Sequence, residues 1–262
     1  MAAVGTRQIL VRPNGMIPDE SLNSGVASRA FPRTSWTLIR KLQQLSGTSQ
    51  RALYDDWIKH YWKPIYAYFR ARGQSEERAQ DLVQDFLTKF LERDKIREVE
   101  STGLKFRTWL RAIAKNYLID AVRRENAGIR QPTGGVVSFE ALRSLDGDPF
   151  EPAATESPEA AFDDAWRREV LDGALKQMEE ECRNSGRQDH YAAFVGYYVL
   201  PEGDSRPRWQ DIAAQLNLAG AEIAERHAYW VKRRLARCIW EIVRETVDTD
   251  AEADEEIREL LH

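Results

Sequence analysis

The chain is poor in the residues that build metal sites and disulfide frameworks. Its 262 residues include two cysteines, Cys182 and Cys238, and four scattered histidines without metal-ligand spacing. No run approaches the roughly 18 apolar residues that a membrane-spanning helix needs, and the first residues lack the basic start and apolar core of a secretion signal. A glycine-rich phosphate loop is also missing. We therefore expect no metal, no cofactor, no catalytic site, no membrane insertion and a cytoplasmic location.

Excess charge of one sign is also small, since 38 Lys and Arg face 42 Asp and Glu, a formal net charge of -4. Taken alone, this value argues weakly against a nucleic-acid partner. The charge is segregated, however, with −7 on residues 131–165 and −6 on 248–262, which leaves +9 on the rest. Residues 104–130 alone carry +5. Both acidic stretches look like loops, so the helical bodies are basic.

Proline and glycine are few, at 10 and 15 residues, and sustained period-two alternation is missing except over the short stretch Val136 to Phe139. From Trp36 onward, apolar residues recur at helical spacing almost everywhere. The sequence therefore predicts an all-α protein of two small helical domains joined by a flexible linker. The predicted parts are a mobile arm at 1–35, a first domain at 36–130, an acidic linker at 131–161, a second domain at 162–247 and an acidic tail at 248–262.

Local signals place two helices early in the first domain. One is predicted from Arg51 to Arg72, with a kink at Pro64 and Gly73 as its C-terminal cap. Ser75 can cap the next helix, whose apolar stripe includes Leu82, Val83, Phe86, Leu87, Phe90 and Leu91. Its other face carries Asp81, Gln84, Asp85, Thr88 and Lys89. From the pattern alone, this polar face is typical of an ordinary solvated surface.

A third helix is predicted over GLKFRTWLRAIAKNYLIDAVRREN. Cations cover nearly its whole polar side, and aromatic residues stand at its start. Such a helix can follow a phosphate backbone while it offers rings to unpaired bases. A merely basic, soluble helix is the alternative, and Trp109 and Tyr117 also fit the spacing of packing residues.

The second domain contains WQDIAAQLNLAGAEIAERHAYWVKRRLARCIWEIVRETV, which reads as a helix-turn-helix. The supporting helix is predicted from Trp209 to Leu216, and Asn217 to Ala219 form the turn, where Asn tolerates a left-handed backbone. The second helix starts near Gly220, with Ile223, His227, Trp230 or Val231, and Leu235 facing inward. A helix of this kind can enter a major groove with its first turns on base edges.

These motifs resemble a known family. DLVQDFLTKFLER followed by FRTWLRAIAKNYLIDAVRREN is similar to the second conserved region of sigma factors of the extracytoplasmic-function group, the smallest members of the sigma-70 family. The upstream FPRTSWTLI and YDDWIKHYWKPIYAYFRARG resemble sigma factors of planctomycete type, and WQDIAAQLNL resembles the fourth region. Two departures from the pattern are Asn217, which replaces the usual Gly, and the acidic pair Glu222 and Glu225.

The resemblance implies an RNA polymerase sigma factor whose partners are core polymerase and promoter DNA, with an anti-sigma protein as a further partner that it allows. It implies polymerase binding by Asp81, Leu82, Gln84, Asp85 and Lys89. For the minus-10 element it implies Lys105, Phe106, Arg107, Trp109, Arg111, Lys115, Asn116, Arg123 and Arg124. For the minus-35 element it implies Glu222, Glu225, Arg226, Lys232, Arg233, Arg234 and Arg237.

Two other classes of protein fit parts of the sequence. A helix-turn-helix transcription regulator could keep both folds without docking on polymerase. An all-α enzyme could use Asp81 and Asp85, one helical turn apart, as metal ligands, but it would need Glu-x-x-His or similar partners, which the sequence lacks.

Overall fold

The computed structural model describes residues 48–92, 105–127, 157–200, 206–244, 246–247 and 249–261. These residues contain helices and no β-strand, which confirms the all-α class. The predicted arm at 1–35, the linker up to residue 156 and the stretch from Val136 to Phe139 lie outside the described ranges. In chain order, the helices are α1 (Thr48–Ala71), α2 (Glu76–Glu92), α3 (Phe106–Asn126), α4 (Pro158–Asn184), α5 (Gln188–Phe194), a π-helical turn (Val195–Val199), α6 (Trp209–Gln215), α7 (Ala221–Arg244) and α8 (Asp250–Leu261).

The described chain divides into two compact units. The first contains α1, α2, α3, the part of α4 up to Val170, and residues 244–252. The second contains α4 from Leu171, then α5, α6, α7 up to Val243, and α8 from Ala253. This division falls inside α4, whose segment 158–170 buries Phe162, Trp166 and other apolar side chains.

Helix α1 supplies much of the core of the first unit, with Tyr61, Ile65 and Phe69 fully buried. It runs through Pro64 and ends where predicted, because Gly73 adopts a φ of +83. The Gly73 N–H donates to the Arg70 carbonyl, and the Gln74 N–H donates to that of Phe69. These two bonds satisfy carbonyls that the end of a helix would otherwise leave without partners.

Helix α2 begins with the predicted cap, since the Arg78 backbone N–H donates to the Ser75 hydroxyl at 3.2 Å. The apolar face of α2 packs toward α1 and α3, and its buried residues include Leu82, Val83, Phe86, Leu87 and Phe90. Aromatic rings join the three helices: Phe86 lies edge-on to Phe69 of α1 and to Tyr117 of α3. The stripe fixes which face of α2 remains on the outside.

In the second unit, a turn with Asn217 at a φ of +53 separates α6 from α7, as predicted for that residue. Ile212 and Ala213 of α6 are buried, and α7 buries Ala224, Ala228, Val231 and Leu235 among others. The buried face of α7 is therefore rotated from the predicted one, since it includes Ala224 and Ala228. The predicted inward residues Ile223, His227 and Trp230 are half-buried.

The prediction of a loop in the acidic stretch 248–262 is wrong, because residues 250–261 form α8. Thr249 and Glu252 make a reciprocal capping box: the Glu252 N–H donates to the Thr249 hydroxyl, and the Thr249 N–H donates to the Glu252 carboxylate. Ala253 and Leu260 are buried, and the Trp240 indole N–H donates to Asp254 at 2.9 Å. The apolar spacing and the cap outweigh the acidic composition.

Candidate polymerase and nucleic-acid interfaces

Helix α3 has one face in the core and one outside. Leu110, Ala114, Leu118 and Ala121 are buried. The outside face carries Lys115, Asn116, Ile119, Asp120, Val122 and Arg123, and both large apolar residues of this set are exposed. This face combines cations, an amide and apolar groups, which are the groups that contact phosphates and base edges.

The aromatic residues at the start of α3 belong mainly to the core. Phe106 is 1% exposed and lies edge-on to Tyr61, with ring centroids 5.3 Å apart. The expectation that it stacks on an unpaired base is thus corrected, because its ring already packs inside the unit. Trp109 is half-buried and contacts the rings of Phe90 and Phe106.

Two of the predicted DNA-binding cations are engaged by a single carboxylate. Arg107 and Arg111, one helical turn apart, both reach Asp163 of α4. The Arg107 Nη1 atom forms an ion pair with Asp163 Oδ1 at 2.7 Å, and the Arg111 Nη1 atom donates a hydrogen bond to Oδ2 at 3.0 Å. Their side chains are only 10% and 24% exposed, so neither belongs to the open face of the helix.

The cations near the end of α3 differ from this pair. Lys115 and Asn116 are exposed, and the Arg123 side chain is 77% exposed and forms a 3.5 Å ion pair with Asp120. Arg124 is half-buried and donates to the Asp120 carbonyl, and Lys105 is half-buried before the helix begins. An exposed pair of this length is weak, so it leaves Arg123 available to a phosphate.

The polar face of α2 is partly structural. Asp81 is exposed and Gln84 half-buried, whereas Leu82 is 2% exposed and belongs to the core, which corrects its assignment to the polymerase-binding surface. Asp85 Oδ2 accepts hydrogen bonds from Lys89 Nζ at 2.6 Å and from the Tyr117 hydroxyl at 2.5 Å.

Tyr117 is held in its neutral form by these surroundings. Burial first, and then the hydrogen bond to Asp85, raise the pKa of Tyr117 far above its usual value. The Asp85 carboxylate thus joins α2 to α3, and the open part of the polar face is centred on Asp81 and Gln84.

The predicted contacts of α7 also divide into two groups. Five of them are exposed, namely Glu222, Glu225, Arg226, Arg233 and Arg237, although Arg237 also donates to Glu241 at 3.0 Å. Arg234 instead pairs with Glu181 of α4 at 2.9 Å. Lys232 lies over the Tyr198 ring at 4.9 Å from its centroid. Only the first group lies on the open face of the helix.

An aromatic cluster supports α6 and α7. Tyr197 stacks on Trp209 with centroids 3.7 Å apart, and the Arg206 guanidinium lies over both Tyr197 and Tyr198. Burial lowers the pKa of Lys232, and Arg206 adds to this effect. Sequence reasoning missed the cluster, although the adjacent tyrosines before the Arg-rich loop were a visible signal.

Two histidines of the second unit form a stacked pair. The rings of His190 and His227 are 3.7 Å apart and nearly parallel, and Trp230 lies edge-on to His190. Burial is the main cause that lowers both pKa values, and neither Nδ1 atom has a hydrogen-bond partner. Burial also raises the pKa of Cys182 to about 11 and that of Cys238 to about 12, so both thiols stay protonated near neutral pH.

Within the described ranges, His, Cys, Asp and Glu form no group that could hold a metal ion. None of the helices in these ranges combines the length and the apolar character that crossing a membrane requires.

One segment of the chain matches a known protein family. Residues 57–128, which span most of α1 together with α2 and α3, match the family model of sigma-70 region 2. Over this segment the chain is similar to region 2 of sigma-70 factors. No curated protein and no solved structure matches the chain.

Proposed function

We propose that this protein is a sigma factor of the extracytoplasmic-function group, of planctomycete type, which docks on core RNA polymerase and directs it to promoters. The observation that carries the proposal is the match of residues 57–128 to sigma-70 region 2. The open faces of α2 and α3 on these same residues supply surfaces for two different partners. In this proposal the protein acts in the cytoplasm and is not an enzyme.

Polymerase docking is assigned to the open part of the α2 face. Asp81 and Gln84 point away from the buried stripe, whereas Asp85 and Lys89 are engaged with each other and Asp85 also binds Tyr117. An acid and an amide suit a basic partner surface, because they accept charge-assisted hydrogen bonds.

Promoter opening is assigned to α3. Opening DNA costs about 1.4 kcal/mol per base-pair step, and stacking one base on an aromatic ring returns about 1–3 kcal/mol. With Phe106 buried, Trp109 is the ring proposed to receive a base. Lys115, Asn116 and Arg123 then hold the opened strand through its phosphates and base edges.

The second unit is proposed to bind the upstream promoter element through α7, as a fourth sigma region with a helix-turn-helix. Its exposed residues Glu222, Glu225 and Arg226 come first, and Arg233 and Arg237 follow two to four turns later. A glutamate can accept a hydrogen bond from cytosine N4, whereas the arginines suit phosphates. The acids at the start therefore favour recognition of cytosine over simple attraction to the backbone.

The docking proposal is tested with the full chain and purified core polymerase. Asp81→Ala combined with Gln84→Ala should weaken binding by at least tenfold in a titration of labelled protein. Glu255→Ala is the control, because it also removes one exposed acid but lies on α8. If the double variant binds polymerase as tightly as the control, Asp81 and Gln84 are not the docking surface. If the wild type binds DNA but not core polymerase, the chain is a DNA-binding regulator without polymerase docking.

A further inference from the structure

Three acidic residues at the start of α4 form ion pairs with cations of the first unit. Asp163 contacts Arg107 and Arg111, Glu169 contacts Lys63 at 2.7 Å, and Glu159 contacts Arg72 at 3.1 Å. The three carboxylates therefore bind four cations: Lys63 of α1, Arg72 directly after α1, and Arg107 and Arg111 of α3. Of these cations, Arg107 and Arg111 lie on the helix to which promoter opening is assigned.

The segment that carries Asp163 is firmly packed. Phe162 is fully buried, and Trp166 is 1% exposed and stacks on Tyr61 with centroids 5.1 Å apart. Ala161 and Ala165 pack against Ala67 of α1. Buried aromatic side chains on both sides of Asp163 hold its carboxylate at α3, so DNA would have to compete with an anion fixed in place.

Geometry explains why one carboxylate serves two arginines. Arg107 and Arg111 are four residues apart and therefore lie on the same face of α3. Asp163 presents one carboxylate oxygen to each guanidinium, in an ion pair of 2.7 Å with Arg107 and one of 3.0 Å with Arg111. At this burial the attraction is screened less than on an open surface.

We propose that Asp163 is a positioning residue that withholds Arg107 and Arg111 from DNA. It fixes the first turns of α3 and leaves the phosphate contacts to the exposed cations further along that helix, Lys115 and Arg123. This inference rests on the proposed function, because it concerns the DNA-binding face of the same helix.

The test compares two variants that change the net charge equally. Asp163→Asn removes the carboxylate that contacts α3, whereas Asp164→Asn removes one that pairs with Arg167 of its own helix at 2.8 Å. The affinity of each full-length protein for a labelled duplex oligonucleotide is measured over a series of salt concentrations. Circular dichroism confirms that each variant is folded.

If the two arginines are released, the slope of log affinity against log salt should steepen by about 0.9 for each one that reaches a phosphate. Asp164→Asn should keep the wild-type slope, and Asp163→Glu, which retains the charge, should stay close to it. Adding Arg107→Gln and Arg111→Gln to Asp163→Asn should abolish the gain. A purely structural role of Asp163 would change unfolding but not the salt slope.

Equal slopes for Asp163→Asn and Asp164→Asn would overturn the proposal and leave the DNA-binding function intact. A flat slope in the wild type would overturn the DNA-binding function itself. Should Asp163→Asn fail to fold, single variants in the wild type decide the question, since loss of Arg111 should reduce the slope less than loss of Arg123. An equal or larger reduction with Arg111→Gln would contradict the proposal.

Discussion

Each unit contains a long basic helix, and α4 supplies an acidic partner to both, but the two ion pairs differ in burial. In the first unit, Asp163 meets Arg107, whose side chain is 10% exposed. In the second, Glu181 meets Arg234 with both side chains 30% exposed. Loss of one partner is costly when the remaining charge is buried and of little consequence when water can replace it. The first pair therefore fixes its helix, and the second contributes less to stability.

The largest expected effect tests whether the segment 158–170 belongs to the first unit. Trp166→Ala should reduce the free energy of unfolding by about 3–5 kcal/mol, because it removes a buried ring that stacks on Tyr61. Tyr229→Ala, at an exposed ring, should change it by no more than about 0.5 kcal/mol. Denaturant titration followed by circular dichroism measures both values. A loss below about 1 kcal/mol for Trp166→Ala would show that the segment is not part of this core.

The next largest effect is the difference in stability lost when each of the two ion pairs is broken. Asp163→Ala should destabilise the protein by about 1–3 kcal/mol, because it removes a partner of a buried arginine. Glu181→Ala should cost about 1 kcal/mol or less, as at a surface pair. Both are read from the same denaturant titrations. Equal losses would mean that burial does not distinguish the two pairs.

A smaller effect is expected on the salt dependence of DNA binding, where an exposed arginine of α7 should matter more than one that is held in an ion pair. Arg233→Ala should reduce the salt slope of duplex DNA binding by about 0.9, because Arg233 is exposed and can reach a phosphate. Arg234→Ala should reduce it less, because Arg234 is paired with Glu181. Binding is measured by fluorescence anisotropy over a salt series. The opposite ranking would place the DNA on another face of the helix.

The smallest expected effect is a pH dependence confined to the second unit. The pKa values of His190 and His227 are lowered from the usual 6.5 mainly by burial, with Arg187 and Arg226 lowering and Asp189 raising them. Since the unfolded chain then binds more protons, stability is complete above pH 6.5 and is lost as the pH falls through the folded pKa values. Thermal melts on both sides of pH 6.5 measure this.

Replacing both histidines by Gln should flatten that pH dependence relative to wild type. If acidification lowers the melting temperature of the wild type and of the double variant by the same amount, groups other than these histidines cause the pH dependence.

The sequence predicted several helix ends correctly, because a helix end is determined by residues that are close together in the chain. Gly73, Ser75 and Asn217 each act within a few residues, so their roles follow from local geometry. The capping box of Thr249 and Glu252 is equally local, and the acidic composition around it concealed the helix. The contact of Asp163 with α3 joins residues far apart in the chain, and no local pattern encodes it. Assignments that ignored it therefore placed Arg107 and Arg111 on the open face.

Leu82 and Phe106 illustrate a second limit. Both occur in motifs that carry the family resemblance, and motif membership does not separate a surface residue from a core residue. Their burial depends on how α1, α2 and α3 pack together. The periodicity placed Leu82 in the apolar stripe, and the structure confirms that location.

Run-off transcription with purified core polymerase on genomic templates tests the assignment as a sigma factor most directly. We expect core polymerase with the full chain to give discrete transcripts from defined start sites, and the Asp81→Ala, Gln84→Ala double variant to give far fewer. Transcription that is the same with and without the protein, under conditions where a known sigma factor supports initiation, would contradict that assignment.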